Sequence, residues 1–356
     1  MLKYSDPVCS MHIGGTSMID ALSEIHVALS MYDPTGSYAR HIGVLSTSIL
    51  CNTKRKICIH ILHDSTLTDT NRIKLIQIAK IFNQKIDLVD VSQKIDHFKL
   101  DIDKISGSFT RGAIFRLFIP DLLPQLSKVI YLDTDIIVNM DIGELWDISL
   151  GAYPIAGVLD MSSINREYGK KFSTTRIAAQ ASGFIPGQYI NSGVLLIDLD
   201  KIRKHGSLAN LAYKFFLKHK NGLPDQDFLN MEFLHEIKII DRCFNDEPKE
   251  APVGTDLFGH IWHFGGFGGK PWKNCIDAEP EILYWQYLNK TPWKDELIGS
   301  MLTMAKDERF YHRHSEACVK RLKAQLFRNI QKANPIPIII NIIKTYYKYY
   351  FSQNVR

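Results

Sequence analysis

Two carboxylates interrupt an otherwise apolar run, "KVIYLDTDIIVNM" from Lys128 to Met140, whose composition is that of a β-strand. Burying an ionised carboxylate without a partner is strongly unfavourable, so these acids need a reason to be there. Alternate residues of a strand point to the same face, so Asp133 and Asp135 could converge on one point. Carboxylate oxygens are ligands that suit Mg²⁺ or Mn²⁺. Solvated strand-end acids or a helix cap would give the same D-x-D pattern.

Three other short stretches carry groups that could bind a ligand. His263 lies in "IWHFGG", where glycines could present backbone N–H groups to a phosphate and Lys270 could add a positive charge. "PDQDFLN" begins a predicted helix, where Asp225 would ordinarily serve as a cap. "INSGVLLIDL" places Asn191 ahead of an apolar strand, as a simple turn would. The Walker A order is missing, and no G-x-G-x-x-G follows the first strand, which disfavours a nicotinamide dehydrogenase.

The elements that must position these residues alternate between strand and helix patterns. This rhythm predicts an α/β fold with a mainly parallel sheet and helices on both faces. In such sheets ligands bind at the carboxyl ends of strands, which is where Asp133 and Asp135 fall. A short helix in "RGAIFRLFIPDLL" is predicted to end near Pro120, residues 162–188 to form a loop or lid, and "HIWHFGGFGGKPW" to form a shaped loop. The predicted strands are Glu24–Ser30, Lys56–Asp64, Lys85–Ser92, Lys128–Asp135, Tyr153–Met161 and Ile190–Leu199.

The bulk composition limits the class of protein. With 356 residues, 45% of them hydrophobic and 23% charged, the chain can bury a sizeable core. No apolar run approaches the length needed to span a bilayer, and the first residues lack the pattern of a secretory signal. Six cysteines without any C-x-x-C pair argue against a zinc ribbon or a disulfide scaffold and fit a reducing cytoplasm.

The basic charge is concentrated in the C-terminal tail. Ala317 to Arg356 contains eight Lys or Arg residues and no acid, whereas the rest of the chain carries 35 basic and 38 acidic residues. Tyrosines and the short apolar run Ile336 to Ile343 accompany them, which favours a helical tail lying on an anionic membrane surface. A packed helix with a solvated basic face is the alternative. Nucleic-acid binding would also suit a basic tail, but it leaves the D-x-D pair, His263 and "KPW" unexplained.

The order of the motifs is more specific than any one of them. D-x-D, then N-[SA]-G-V-L-L-I, then D-Q-D-x-L-N, then H-(x)n-G-x-K-P-W resembles glycosyltransferase family 8, the retaining sugar-nucleotide transferases with a GT-A fold. The resemblance covers about residues 24–295 and rests on "YLDTDIIV", "ELWDISLG", "NSGVLLIDL", "PDQDFLN" and "HFGGFGGKPW". It implies a Rossmann-like, mixed and mainly parallel sheet flanked by helices. The resulting division is a lead-in segment 1–23, a GT-A catalytic domain 24–295 and a basic, aromatic C-terminal region 296–356.

The resemblance implies a metal site and a diphosphate site. Asp133, Asp135 and His263 would bind Mn²⁺ or Mg²⁺, which would hold the diphosphate of a UDP-sugar. Lys270 matches the lysine of the family's KPW motif and would face the phosphates, although the glycine spacing before it is one residue longer than in some relatives. The glycines that would let the backbone approach the phosphates are Gly265 and Gly266.

The resemblance also assigns residues to the donor sugar. Asn191, Ser192 and Asp160 match substrate-binding positions, and Asp33 is assigned to the base, although "ALSMYDPTGSY" departs from the family's uridine loop. The residues matched to the transfer step are Arg116, Asp225, Gln226 and Asp227. Gln226 would lie near the anomeric carbon, but an amide is a poor nucleophile. A front-face route, in which the leaving phosphate acts as base, is therefore favoured over a nucleophile such as Asp227.

The implied function is a metal-dependent retaining hexosyltransferase. It would move glucose or galactose from a UDP-sugar to a bacterial surface glycan such as lipopolysaccharide core, on the inner face of the cell membrane. A protein or another glycolipid is the alternative acceptor, and a non-catalytic sugar-nucleotide binder keeps the same fold without the transfer. Nucleic acid is not an expected partner.

Overall fold

The computed structural model describes residues 24–97, 111–160, 188–218, 223–251, 254–265, 269–273, 278–296 and 299. The lead-in segment, nearly all of the predicted loop at 162–188, Gly266 and nearly all of the C-terminal region lie outside the described residues. Within the described ranges, no helix is long and apolar enough to cross a membrane.

One large sheet organises the chain. Its strands are β1 Ile25–Met31, β2 Ile57–His63, β3 Lys85–Asp90, β4 Lys128–Leu132, β6 Ile155–Leu159, β7 Ile190–Asp198 and β8 Ile237–Ile239. They lie in the order β3-β2-β1-β4-β7-β6-β8. The first four strands of this order are parallel, whereas β7 runs antiparallel to both of its neighbours and β8 runs parallel to β6. The predicted mixed, mainly parallel sheet is confirmed.

Helices cover both faces of the sheet. They are α1 Ala39–Asn52, α2 Asp69–Phe82, α3 Ser92–His97, α4 Arg111–Phe115, α5 Ile119–Leu122, α6 Gly143–Trp146, α7 Leu199–His205, α8 Leu208–Lys218, α9 Pro224–Glu232 and α10 Glu281–Leu288. Short 3₁₀ turns lie at Arg116–Phe118, Arg242–Asn245 and Pro248–Glu250. Strand alternation divides the core: Leu29 and Leu132 pack on the side of α1, α2 and α10, whereas Ala28 and Tyr131 pack on the side of α7, α8 and α9.

Local sequence explains both ends of α2. The Thr68 side chain accepts a hydrogen bond from the Asn71 N–H at the start of α2, and Asn83 ends that helix in the left-handed conformation with φ 51°. The helix predicted to end near Pro120 ends two residues later, at Leu122. Pro120 lies in the first turn of α5, where backbone N–H groups have no acceptor within the helix. The N–H that proline lacks is therefore not needed there, and the helix continues to Leu122.

A second, two-stranded sheet carries part of the candidate site. β5 Ile136–Asn139 pairs antiparallel with β9 His260–His263, so Ile136 lies opposite His263. Lys128 to Met140 is therefore two strands, β4 and β5, which belong to different sheets and are joined by a turn at Asp133–Asp135. "HIWHFGGFGGKPW" begins as a strand and not as a loop, because its apolar residues Ile261 and Trp262 are fully buried.

Candidate active site

The two carboxylates of the D-x-D pair lie on the turn between β4 and β5. The Asp133 N–H donates to the Gly193 carbonyl oxygen (2.8 Å), and the Thr134 hydroxyl donates to the Ser30 carbonyl oxygen (2.9 Å), which fixes the turn against β7 and β1. The two acids converge because the backbone turns here, and not because they alternate along one strand as the sequence predicts. Both side chains are partly exposed, 25% for Asp133 and 13% for Asp135, so they can reach a ligand.

His263 completes a cluster with the two carboxylates. One ligand atom from each of Asp133, Asp135 and His263 lies within 4.8 Å of the others, and His263 Nε2 is 3.3 Å from Asp135 Oδ1. The β5–β9 ladder places the histidine there, and the Phe264 N–H donates to the Asp135 carbonyl oxygen (2.8 Å) to extend the contact. The structure thus brings together the three residues predicted as metal ligands.

A chain of side-chain amides fixes the His263 ring. His263 Nδ1 lies 2.9 Å from Asn245 Oδ1, and the Asn245 amide donates to Asn191 Oδ1 (3.0 Å). Asn191 Oδ1 also accepts from the Gly193 N–H (2.9 Å). With Nδ1 hydrogen-bonded, Nε2 is the ring nitrogen left facing Asp135, which is the orientation that a metal ligand needs. Asn245 has no recognisable motif around it, so it could not be selected from the sequence.

Two glycines make room for that ring. A Cβ at Gly193 would lie 2.3 Å from His263 Cε1, and a Cβ at Gly265 would lie 3.2 Å from His263 Nε2. Real Cβ atoms essentially never approach other heavy atoms within 3.0 Å, so residue 193 must be glycine if the ring is to stay in place. The expected role of Gly265 against phosphate stays a prediction, and here its contact is with the imidazole.

Each acidic residue of the pair has a cationic partner. Arg116, which is buried, donates to Asp133 Oδ1 (2.6 Å) and lies 3.2 Å from Asp225 Oδ2. Burial alone would lower the arginine pKa, but the carboxylates Asp133 and Asp225 outweigh it and hold the pKa above its usual value. The Tyr131 hydroxyl donates to the same Asp133 oxygen (2.8 Å), and its ring lies under the guanidinium.

Lys270 pairs with the second carboxylate. Its ammonium group contacts Asp135 Oδ2 and donates to the Phe264 carbonyl oxygen (2.8 Å). Burial lowers the pKa of Lys270 to about 8, against the opposing effect of Asp133. The structure therefore places the predicted phosphate-facing lysine beside the predicted metal ligands.

The start of α9 and the start of β7 form the neighbouring wall. The Ser192 N–H donates to Gln226 Oε1 (3.0 Å), the Gln226 amide donates to Asp160 Oδ2 (2.9 Å), and the Ser192 hydroxyl donates to Asp225 Oδ2 (3.1 Å). Burial raises the pKa of Asp225, with Asp133 adding to the rise and Arg116 opposing it. The structure joins these predicted residues in one network, and their contacts with a sugar stay predictions.

Two predicted site residues have supporting contacts of their own. The Asp227 carboxylate is 1% exposed and accepts from the Tyr189 hydroxyl (2.6 Å), so it presents almost no surface to a ligand. Asp33 is also 1% exposed, and its carboxylate accepts from the N–H groups of Tyr38 (2.7 Å) and Ala39 (3.0 Å) at the start of α1. These contacts explain why both acids are buried. Transfer chemistry at Asp227 and base recognition at Asp33 stay predictions.

The donor set fits a divalent metal ion. Two carboxylates and one imidazole on a partly open turn offer two hard oxygen ligands and one nitrogen, which suits Mn²⁺ better than Mg²⁺, an ion that prefers all-oxygen coordination. A histidine that binds a metal must be held in one orientation. The hydrogen bond at His263 Nδ1 does this, and the missing side chains of Gly193 and Gly265 (the glycine gap) leave space for the ring.

Comparisons with known proteins agree with this architecture. The chain is 25% identical to general stress protein A of Bacillus subtilis over 283 residues, which is 72% of this chain and 91% of that protein. It is 26% identical to the lipopolysaccharide 1,2-glucosyltransferase of Escherichia coli K12 over 295 residues, which is 74% of this chain and 78% of that enzyme. Against glycosyltransferase GlyB of Streptococcus pneumoniae it is 29% identical and spans 52% of that protein.

A solved structure and a family model extend the match. The crystal structure of galactosyltransferase LgtC, in complex with donor and acceptor sugar analogues, superposes with a TM-score of 0.61 at 23% identity, covering 76% of this chain and 96% of that one. That likeness establishes the GT-A fold. The model of Glycosyl transferase family 8 matches residues 31–275, a range that contains every residue of the candidate site. The chain therefore belongs to glycosyl transferase family 8.

Proposed function

We propose that this glycosyltransferase moves a hexose, glucose or galactose, from a UDP-sugar to a bacterial surface glycan such as lipopolysaccharide core, with retention of configuration. The observation that carries the proposal is the cluster of Asp133, Asp135 and His263 beside the Asp225–Gln226 end of α9. The name of the Escherichia coli relative supports a lipopolysaccharide acceptor. Mn²⁺ held by the cluster would neutralise the charge that grows on the departing diphosphate.

The chain's own residues would position the donor. Lys270 would give a positive charge to the phosphates, and the hydrogen-bonded Gln226 amide would hold one orientation beside the sugar. Both ends of that amide are engaged, its oxygen by Ser192 and its nitrogen by Asp160, which makes nucleophilic attack by Gln226 unfavourable. These contacts support a front-face route, in which the leaving phosphate takes the acceptor proton.

UDP release from a panel of UDP-sugars tests the proposal. We expect release from one donor with Mn²⁺, none with EDTA, and a loss of about 10²-fold or more in Asp135→Ala. Asp200→Ala, which removes an exposed carboxylate paired with Arg203, is the matched control and should keep full activity. If no donor turns over and Mn²⁺-dependent UDP binding is also absent, the proposal fails. Binding without turnover would mean that an acceptor must be added.

We further propose that the basic C-terminal region, 296–356, holds the enzyme on the inner face of the cell membrane, with residues 24–295 as the catalytic domain. The support is compositional: within this region, residues 317–356 contain eight Lys or Arg residues and no acid, with tyrosines and a short apolar run between them. Deletion of residues 318–356 should move the protein from the membrane fraction to the supernatant while UDP release persists. Unchanged membrane partition would contradict this assignment.

A further inference from the structure

A second group of metal-ligating side chains lies near the amino ends of the strands, away from the candidate active site. One ligand atom from each of His26, Cys58 and His60 lies within 4.8 Å of the others. In the parallel register of β1 and β2, His26 is the direct partner of Cys58, and His60 is two residues further along β2 on the same face. Asp133, by contrast, follows the carboxyl end of β4. The cluster is therefore separate from the candidate active site.

The surroundings of the two histidines suit metal binding. His26 Nδ1 and His60 Nε2 face each other at 3.1 Å. The second nitrogen of each ring faces a carboxylate: His60 Nδ1 is 3.3 Å from Asp87 Oδ2, and His26 Nε2 is 3.9 Å from Glu24 Oε2. Metal-bound histidines usually donate their other N–H to a carboxylate, as His60 can to Asp87, which fixes the ring and directs the free nitrogen at the ion. The His26–Glu24 contact is an ionic one and is too long for a hydrogen bond.

We propose that His26, Cys58 and His60 form a zinc site that joins β1 to β2. One thiolate and two imidazoles are a ligand set that suits Zn²⁺, and the sulfur makes Mg²⁺ or Mn²⁺ a poor occupant. Tetrahedral coordination with Zn–N bonds of about 2.0–2.1 Å places two nitrogen ligands roughly 3.3 Å apart. The 3.1 Å between the facing nitrogens is close to that separation. A water molecule would fill the fourth position.

The cluster is buried but can be reached from solvent. Cys58 and His60 are 0% and 2% exposed, whereas the His26 side chain is 19% exposed, so an ion would enter from solvent beside His26. Burial lowers the pKa of both imidazoles, which favours the neutral ring that binds metals. Burial also raises the pKa of the Cys58 thiol to about 11, so the ion must displace that proton into solvent. Without an ion, the cluster is a hydrogen-bonded histidine pair beside a thiol.

The site would stabilise one edge of the sheet. β1 and β2 supply the three ligands, and Asp87 on β3 reaches the ion indirectly through His60. A bound ion would therefore tie three neighbouring strands near their amino ends. The site would act on the sheet and not on sugar transfer, so its test does not depend on the proposed activity.

Cobalt substitution of the full-length, reduced protein tests the site. We expect one Co²⁺ to give a thiolate-to-cobalt charge-transfer band in the near ultraviolet together with the intense visible bands of a tetrahedral site, and Zn²⁺ to abolish both. The D-x-D cluster has no sulfur ligand, so Co²⁺ bound there cannot give the charge-transfer band. Cys58→Ser should lose the band, while a variant that keeps Cys58 and changes the other five cysteines to serine should retain it. Those five are Cys9, Cys51, Cys243, Cys275 and Cys318.

The zinc-site proposal can be tested even if Cys58→Ser does not fold, because the wild type can be compared with the variant whose only cysteine is Cys58. The site is supported if the thiolate-to-cobalt charge-transfer band appears in the wild type and persists when Cys58 is the only cysteine. Absence of the band from wild type, or its loss when only Cys58 remains, overturns the proposal. Survival of the band in folded Cys58→Ser also overturns it, because another thiol must then be the ligand.

Discussion

Gly193→Ala is expected to weaken metal binding without removing any ligand. The new Cβ would lie 2.3 Å from His263 Cε1 and 2.9 Å from Nδ1, whereas ordinary van der Waals contact begins at 3.4 Å. The imidazole must therefore retreat by about 1 Å or more, while metal–ligand distances tolerate only about 0.2 Å. Its hydrogen bond to Asn245 would stretch at the same time. Losses of supporting contacts of this kind cost about 10–100-fold in metal affinity.

Two measurements on the same purified proteins test this reasoning. Calorimetric Mn²⁺ titration in the presence of UDP should give the 10–100-fold loss for Gly193→Ala, and denaturant unfolding should give a stability loss of about 1–3 kcal/mol from overpacking. Gly43→Ala is the matched control, because its Cβ would lie 2.5 Å from the Trp293 ring and touches no predicted ligand. It should disturb packing but leave Mn²⁺ affinity unchanged. Wild-type affinity in Gly193→Ala, together with a large loss in His263→Ala, would refute the argument from the glycine gap.

Three further outcomes follow from the described contacts. Asn245→Leu removes the acceptor of the hydrogen bond at His263 Nδ1, and the same Mn²⁺ titration should show an affinity about 10-fold or more lower. Unchanged affinity would show that the His263 ring is held by packing alone. Arg116→Leu removes the cationic partner of the buried Asp225 and of the partly exposed Asp133, and it should lower the unfolding free energy by about 3–5 kcal/mol, against less than about 1 kcal/mol for Arg55→Leu at an exposed pair. Equal losses in the two variants would contradict the role of Arg116 as a buried ion-pair partner. Burial holds the pKa of His41 below its usual 6.5, so below that pH the unfolded chain takes up a proton that the native chain does not, and stability falls as the pH falls. Urea unfolding at about pH 7 and about pH 5.5 should show that His41→Gln reduces this fall by up to about 1.4 kcal/mol per pH unit; an equal fall in both proteins would be evidence against a neutral buried His41.

The order of strands and helices could be predicted because it depends on local pattern. Apolar runs bounded by polar residues mark β1, β2 and β3 to within about two residues, and Thr68 marks the start of α2. The convergence of Asp133 with Asp135 was predicted for the wrong reason, since the turn between two sheets produces it and not strand alternation. Local sequence contains no signal for a change of sheet between β4 and β5.

Residues that act through distant contacts could not be predicted from their own neighbourhoods. Asn245 lies in a 3₁₀ turn with no motif, and only the tertiary structure shows that it bridges Asn191 and His263. Gly193 is similar, because position 193 must be glycine only where the His263 ring, contributed by β9, occupies the space of a side chain. The spacing of Cys58 and His60 matches no common zinc pattern, since the third member, His26, comes from another strand.

The pairing of β5 with β9 also has a kinetic consequence. The contacts that complete the metal cluster join residues far apart in the chain; Lys270 and Asp135, for example, are separated by 135 positions. Closing so long a loop carries an entropic cost, and contacts of this range form late relative to local ones. During synthesis, β1 to β4 are complete before the ribosome has made β9, so until then the two aspartates lack His263. Asp133, Asp135 and His263, the predicted metal ligands, therefore come together only once the strand that carries His263 has docked.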